Sequence, residues 1–197
     1  MNSGYLTNPL IFLIHTLFGL YILAVLLRFL LQLVRADFYN PFSQFLIKAT
    51  NPPLKLLRRF IPGLGGIDLA SLILAWALKS VELLLVILIS GLNAHPIAPL
   101  LWAVPELVET VINIFLVSVF VQALLSWVAS GGYNPVYALL DSLTAPVLRP
   151  ARRILPVTGG FDLSPILAII GLILLKMLLM PPLRALVGDP FGGTPFL

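Results

Sequence analysis

Four stretches of this chain are long and apolar enough to cross a bilayer, and they constrain the fold more than any motif does. About 30 Å of hydrocarbon takes roughly 20 mostly apolar residues to cross. The first stretch runs from about Pro9 to Val34 and is uncharged through Leu27. The second, Asp68–Gly91, carries Lys79 and Glu82. The third, Pro105–Ala129, is uncharged from Val111 onward, and the fourth, Asp162–Val187, contains Lys176. In lipid the backbone polar groups of such a segment must bond within it, which a helix does. The expected fold class is therefore an all-α membrane protein of four transmembrane helices. Composition agrees: 59% of residues are hydrophobic and 10% charged, against about 45–50% and 25% in globular domains. Disorder and an ordinary soluble enzyme core are excluded. Cysteine is absent, which removes disulfides, thiolate nucleophiles and cysteine metal sites.

The second span is the marginal one. Its Leu, Ile and Val residues contribute about −4 to −8 kcal/mol on an insertion scale, and its two central charges cost about +5 to +7 kcal/mol. The balance is near zero, so insertion needs help from a Lys79–Glu82 pairing or from a neighbouring span. Orientation follows from the basic residues outside the spans. Lys48, Lys55, Arg58 and Arg59 follow the first span, and Arg149, Arg152 and Arg153 follow the third. The segment Leu92–Val104 and the tail before Pro9 have none. The positive-inside rule then puts both basic loops in the cytoplasm and both termini outside. The N-terminal tail also lacks the basic region of a cleaved signal peptide.

The chain repeats itself. At an offset of 94 residues Tyr39-Asn40-Pro41 matches Tyr133-Asn134-Pro135, Thr50 matches Thr144, and Arg58-Arg59 matches Arg152-Arg153. Gly65-Gly66 matches Gly159-Gly160 and Asp68-Leu69 matches Asp162-Leu163. The 31 positions from Tyr39 to Leu69 hold 14 identities, far above chance, so the chain is a duplication. Each unit carries two spans, so the copies lie the same way up, as a parallel repeat. The expected organisation is a first repeat over 1–92, an external connection over 93–104, a second repeat over 105–188 and a Pro/Gly-rich tail over 189–197.

These loops, of the form N-P…P-x-L-x-x-x-R-R…P-x-x-G-G-x-D-L between hydrophobic spans, resemble the YggT family of small bacterial membrane proteins with plastid relatives. The likeness covers nearly the whole chain as two tandem family units. It implies a bacterial cytoplasmic (inner) membrane protein. It further implies association with osmotic or ionic stress, with envelope or division factors, or with membrane-complex assembly. No catalytic residue comes with it.

In Pro52–Ile61, Lys55, Arg58 and Arg59 share one helical face, while Leu54, Leu57 and Ile61 share another. Asn51 before Pro52 fits an N-cap followed by proline at the first helical position. The expectation is a short interfacial amphipathic helix, repeated around Arg149, Arg152 and Arg153. It could contact anionic lipid headgroups, dock a membrane or cytoplasmic protein, or only set topology. Asp68 and Asp162 stand where helix caps belong, and can also pair with the arginines of their own loops.

Inside the spans, Arg28, Lys79, Glu82 and Lys176 form the expected intramembrane polar cluster. The offset maps Glu82 onto Lys176, so the two are expected to pair across the pseudo-two-fold beside Lys79. Such a cluster is either glue between helices or part of an ion path, and a path would require a homo-oligomer because four spans enclose little room. Pro105, Glu106 and Glu109 read as the first turn of the third span. Trp102, before it, reads as an interfacial anchor. His15 and His95 lack the further ligands of a metal or haem site, so no metal or cofactor is expected. Neither is an enzymatic activity, because no nucleophile motif is present. Nucleic acid is not an expected partner, because the cations border the membrane without interleaved aromatic platforms. The leading expectation is a non-catalytic organiser of membrane partners acting through its basic loops, with a small ion channel or transport component as the alternative.

Overall fold

The computed structural model describes residues 4–61, 63, 66–128, 134–155 and 162–188. Among these are six α-helices and no β-strand: α1 Gly4–Leu33, α2 Pro41–Leu57, α3 Leu69–Ser90, α4 Ala98–Val128, α5 Pro135–Ile154 and α6 Ser164–Val187. Four contain segments long and apolar enough to cross a bilayer: Leu6–Leu33, Leu69–Ser90, Ala98–Ser126 and Ser164–Val187. The helix α1 packs on α3 as α4 packs on α6, α2 lies against α1 and α3, and α5 lies against α4 and α6. The two units join where α3 packs on α4. The tail over 189–197, Tyr133, Pro156 and the Gly159-Gly160 pair lie outside the described residues, as does Gly65 of the first pair.

The Y-N-P signature starts the short helices. Asn40 Oδ1 accepts from the Phe42 backbone N–H at 3.0 Å, and Asn134 Oδ1 accepts from Val136 N–H at 2.9 Å. In each, proline follows at the first helical position, where its missing N–H costs nothing. The α2 helix therefore begins at Pro41, eleven residues before the expected start. Asn51 is an interior residue and not an N-cap, and α2 runs through Pro52 and Pro53. An interior proline leaves the carbonyl four residues earlier without its donor. For Pro53 that carbonyl belongs to Ala49, and the Tyr21 hydroxyl donates to it at 3.4 Å. Packing on α1 thus carries the helix across a proline pair that reads as a start signal.

The third span also starts early. The α4 helix begins at Ala98 and takes in Pro105, Glu106 and Glu109, so Pro105 is an interior, buried residue rather than the first turn. Trp102 is a buried packing residue and not an exposed anchor: its indole N–H donates to the Val187 carbonyl at 3.1 Å, tying α4 to the end of α6. At the far end of α3, Gly91 (φ 69°) closes the helix in the left-handed conformation that glycine adopts without strain. The core of the first unit gathers Ile22, Val25 and Leu26 of α1, Leu46 and Leu54 of α2, and Ala70, Leu74 and Ala75 of α3. Leu13, Leu17 and Leu20 of α1, and Leu174, Met177 and Leu178 of α6, point outward. That is the inverse pattern expected of helices whose outer face meets lipid.

Candidate functional site

The charges inside the bundle form one connected chain across all four long helices. His15 Nδ1 on α1 lies 2.6 Å from Glu82 Oε1 on α3. Lys79 Nζ, one turn away on α3, donates to the same oxygen at 3.0 Å and reaches Glu106 Oε2 on α4 at 3.8 Å. Arg184 on α6 pairs with Glu106 at 3.2 Å and, more closely, with Glu109. Lys176 Nζ completes the run at 2.7 Å from Glu109 Oε1 and donates to Asn113 Oδ1 at 3.1 Å. Three carboxylates alternate with three cations, and the histidine stands at one end. In a low-dielectric setting such charges persist only when paired in this way.

This arrangement corrects the expected cluster in two respects. Glu82 and Lys176 do not pair; Glu82 is held by His15 and Lys79, and Lys176 by Glu109. Arg28 lies apart from the network, nearer the other end of α1, where its Nη1 donates to Thr50 Oγ1 at 2.8 Å and Asn51 Oδ1 at 2.9 Å. The network also contains four residues that the sequence reading did not place there: His15, Glu106, Glu109 and Arg184. The repeat offset could have found two of them. His15 maps onto Glu109 as Glu82 maps onto Lys176, because 15 + 94 = 109 and 82 + 94 = 176. The pairs His15–Glu82 and Glu109–Lys176 therefore occupy equivalent positions, with the carboxylate on α3 in the first and on α4 in the second. These two pairs stay within their own units, across α1–α3 and α4–α6, and Lys79–Glu106 is the link that crosses from one unit to the other. Arg184 could have been flagged by sitting two turns beyond Lys176 on α6.

At the opposite end each unit has a matched pair of braces. In the second unit Gln122, the counterpart of Arg28, donates from Nε2 to Asp141 Oδ1 at 2.9 Å and accepts closely from the Thr144 hydroxyl. Thr50 and Thr144 are both fully buried, and each also donates to the carbonyl one turn earlier at 2.7 Å. The second brace joins the loop to the next span. Arg58 pairs closely with Asp68, and Arg152 Nε lies 3.2 Å from Asp162 Oδ2. Asp68 sits at the N-cap position, where its carboxylate takes the Ser71 hydroxyl at 2.7 Å and pairs closely with Arg58. Asp162 lies one residue before the N-cap Leu163 and accepts from the Ser164 N–H at 2.9 Å. Burial alone would raise both carboxyls. For Asp68 the bonds from Arg58 and Ser71 outweigh it, and for Asp162 those from Ser164 and Arg152 do, so both lie below the usual aspartate range. Lys55, Arg59, Arg149 and Arg153 remain exposed. His95 is in the α3–α4 loop, where its Nδ1 accepts from Ile97 N–H at 3.3 Å.

A family model described as CCB3/YggT matches residues 7–89 and again 101–183. An uncharacterised protein of Pseudomonas aeruginosa is 45% identical over 194 residues, covering 98% of both chains. An uncharacterised protein from Vibrio alginolyticus is 42% identical over 84% of this chain and 90% of its own length. The uncharacterised protein YggT of Escherichia coli K12 is 38% identical over 86% of this chain and 88% of its own. No solved structure matches the chain.

Proposed function

The chain belongs to the CCB3/YggT family in two tandem units, and on that premise we propose that it is a non-catalytic bacterial inner-membrane protein that recruits membrane or cytoplasmic partners through its basic end. The observation that carries this reading is a division of labour among the arginines. In each loop one arginine, Arg58 or Arg152, is spent on the aspartate that starts the next span, while Lys55, Arg59, Arg149 and Arg153 stay exposed. The α2 and α5 helices pack against each other, and Asn40 Nδ2 donates to the Pro135 carbonyl at 2.7 Å. The two basic segments act as one platform in this reading. In this reading the platform faces the cytoplasm and both termini face outward, as the cation count demands.

A second reading, an ion-transport component acting as an oligomer, is favoured by the ionic network alone. A single comparison separates the two. Changing Lys55, Arg59, Arg149 and Arg153 to Gln together is expected to remove most of the protein recovered with the chain from crosslinked native membranes. Lys176→Met is expected to leave that recovery unchanged. Ion flux in proteoliposomes that Lys176→Met abolishes, with the variant still folded, would reverse the ranking.

A further inference from the structure

Arg28 is the one buried cation of the described spans that lacks a carboxylate. It is 8% exposed, and its hydrogen bonds go to Thr50, Asn51 and, at 3.4 Å, the Ile47 carbonyl, all neutral acceptors and all taken by Nη1. Every other cation within the long helices meets Glu82, Glu106 or Glu109. Taking an unpaired guanidinium out of water costs several kcal/mol unless an anion accompanies it.

The position of Arg28 identifies where that anion would sit. Arg28 lines a cavity of about 500 Å³, together with Gln32, Phe38, Arg58, Ile61, Gly63, Gly66, Ile67 and Asp68. Its Nε and Nη2 make no hydrogen bond and are not sealed in the protein interior, so they remain available to a ligand. Arg58 supplies a second guanidinium, 39% exposed, of which Nη2 is committed to Asp68. The charged side chains of the lining are thus two arginines and one aspartate, a net positive wall, and that aspartate is already bonded by Arg58 and Ser71. The lining also includes the apolar side chains of Phe38, Ile61 and Ile67. Arg28 stands five residues before the end of α1 at Leu33, about 7.5 Å at 1.5 Å per residue. Arg28 therefore lies within about two turns of the end of the span, on the side of the basic loop.

We propose that the Arg28–Arg58 cavity is a binding site for a phosphate-bearing anion, with Arg28 Nε and Nη2 as its fork of donors, Arg58 as a second cation and Phe38, Ile61 and Ile67 receiving an apolar body attached to the phosphate. Guanidinium donors in a fixed fork match phosphate oxygens bidentately. The site exists once per chain. The second unit has Gln122 in place of Arg28, and Asp141 and Thr144 satisfy that side chain from within the protein. Duplication supplied two equivalent positions, and only one bears the charge. This inference is independent of the partner platform, which uses the exposed cations.

The test is native mass spectrometry of the full chain in detergent, titrated with dioleoylphosphatidylglycerol and with the zwitterionic phosphatidylcholine of the same chains. Thermal stability in inorganic phosphate against chloride forms the soluble arm. Both lipids present a phosphate, but the choline ammonium of the zwitterionic one meets two arginines, so the anionic lipid is expected to bind about tenfold or more tightly. Arg28→Gln, which installs the side chain of the second unit, is expected to reduce the ratio to near one. Stabilisation by inorganic phosphate that Arg28→Gln removes, with no lipid preference, would assign the same site to a soluble phosphate ester. Where Arg28→Gln does not fold, Arg28→Lys keeps the charge without the fork and is expected to lower the ratio severalfold. A wild-type chain that prefers neither phosphatidylglycerol nor phosphate overturns the proposal. So does a folded Arg28 variant with an unchanged ratio.

Discussion

Glu82 is 1% exposed and gives a single oxygen, Oε1, to both His15 and Lys79, while Oε2 has no hydrogen-bond partner among the described residues. A carboxylate in that position is held by charge rather than by a full shell of donors. Its neutralisation should therefore be felt through its partners. The same holds for Glu109, which is shared by Lys176 and Arg184. These assignments make a quantitative prediction. In a double-mutant cycle on unfolding in bilayer discs, Glu109→Gln and Lys176→Met should couple by about 1–3 kcal/mol, the range for residues in contact. The coupling between Glu82→Gln and Lys176→Met should be clearly smaller, because Lys79, Glu106, Arg184 and Glu109 stand between them. The reverse order would mean that the two units exchange charges across the pseudo-two-fold. At this scale the sequence revealed the kinds of residue in the network better than their pairing. An offset of 94 says that positions 82 and 176 are equivalent, and equivalence in a repeat does not imply contact. His15 reads only as a histidine short of metal ligands because one histidine in an otherwise apolar helix offers no local pattern, and Glu106 and Glu109 read as a helix start because they follow a proline.

Among the elements, α1, α3 and α6 end close to where hydropathy ends them, since long apolar runs leave little choice. The departures are α2 and α4, and both come from proline. Pro52 and Pro105 each resemble the first residue of a helix, yet each lies inside one, and at α2 tertiary contacts hold the helix across its proline pair. These are the Tyr21 hydroxyl on the Ala49 carbonyl and Arg28 on Thr50 and Asn51. Such contacts join residues about 20–30 positions apart and cannot be read from a local window. The loop braces, by contrast, were legible as a possibility, because an arginine and an aspartate recur ten residues apart in both units. They predict a pH dependence. The Asp68 carboxyl lies below the usual range in the folded chain, so the folded state releases its proton more readily than the unfolded one. The sign is therefore fixed: the brace stabilises fully above the ordinary aspartate value of about 3.9 and loses its contribution as pH falls through the lower, folded value. Thermal unfolding of the detergent-solubilised chain between pH 6 and pH 3 should show the melting temperature falling in the acid part of that window. Asp68→Asn should be less stable than the parent at pH 6 and should converge on it at the acid end. A constant difference between the two across the window would show that the carboxylate charge contributes nothing.

The whole molecule is two copies of one three-helix unit, and what joins them is distributed between the middle of the spans and the basic end. In the spans Lys79 of the first unit reaches Glu106 of the second, where α3 packs on α4. At the basic end Asn40 donates to the Pro135 carbonyl. Within each unit the long helices are already tied, by His15–Glu82 in the first and by Glu109–Lys176 and Trp102–Val187 in the second. The near-zero insertion balance of α3 fits this design, since its two charges are neutralised partly by α1 and partly by α4. A chain divided in the α3–α4 loop, as residues 1–94 and 95–197, should therefore reassemble when both pieces are made in one membrane. A tag on either piece is expected to recover the other in comparable amount. Glu106→Gln together with Asn40→Ala removes both polar links between the units, and also takes Arg184 from Glu106 and the cap from α2, so the continuous chain carrying the same pair is the control for folding. In the divided chain that pair should cut recovery severalfold, while in the continuous chain, where the α3–α4 loop keeps the units at high effective concentration, the same pair should leave a folded protein. Recovery that survives both substitutions would place the coupling in the apolar α3–α4 contact alone and leave the ionic network as a device of each unit separately. Pieces that never associate would show instead that the duplicated units rely on the loop, and that Lys79–Glu106 is a consequence of their proximity rather than its cause.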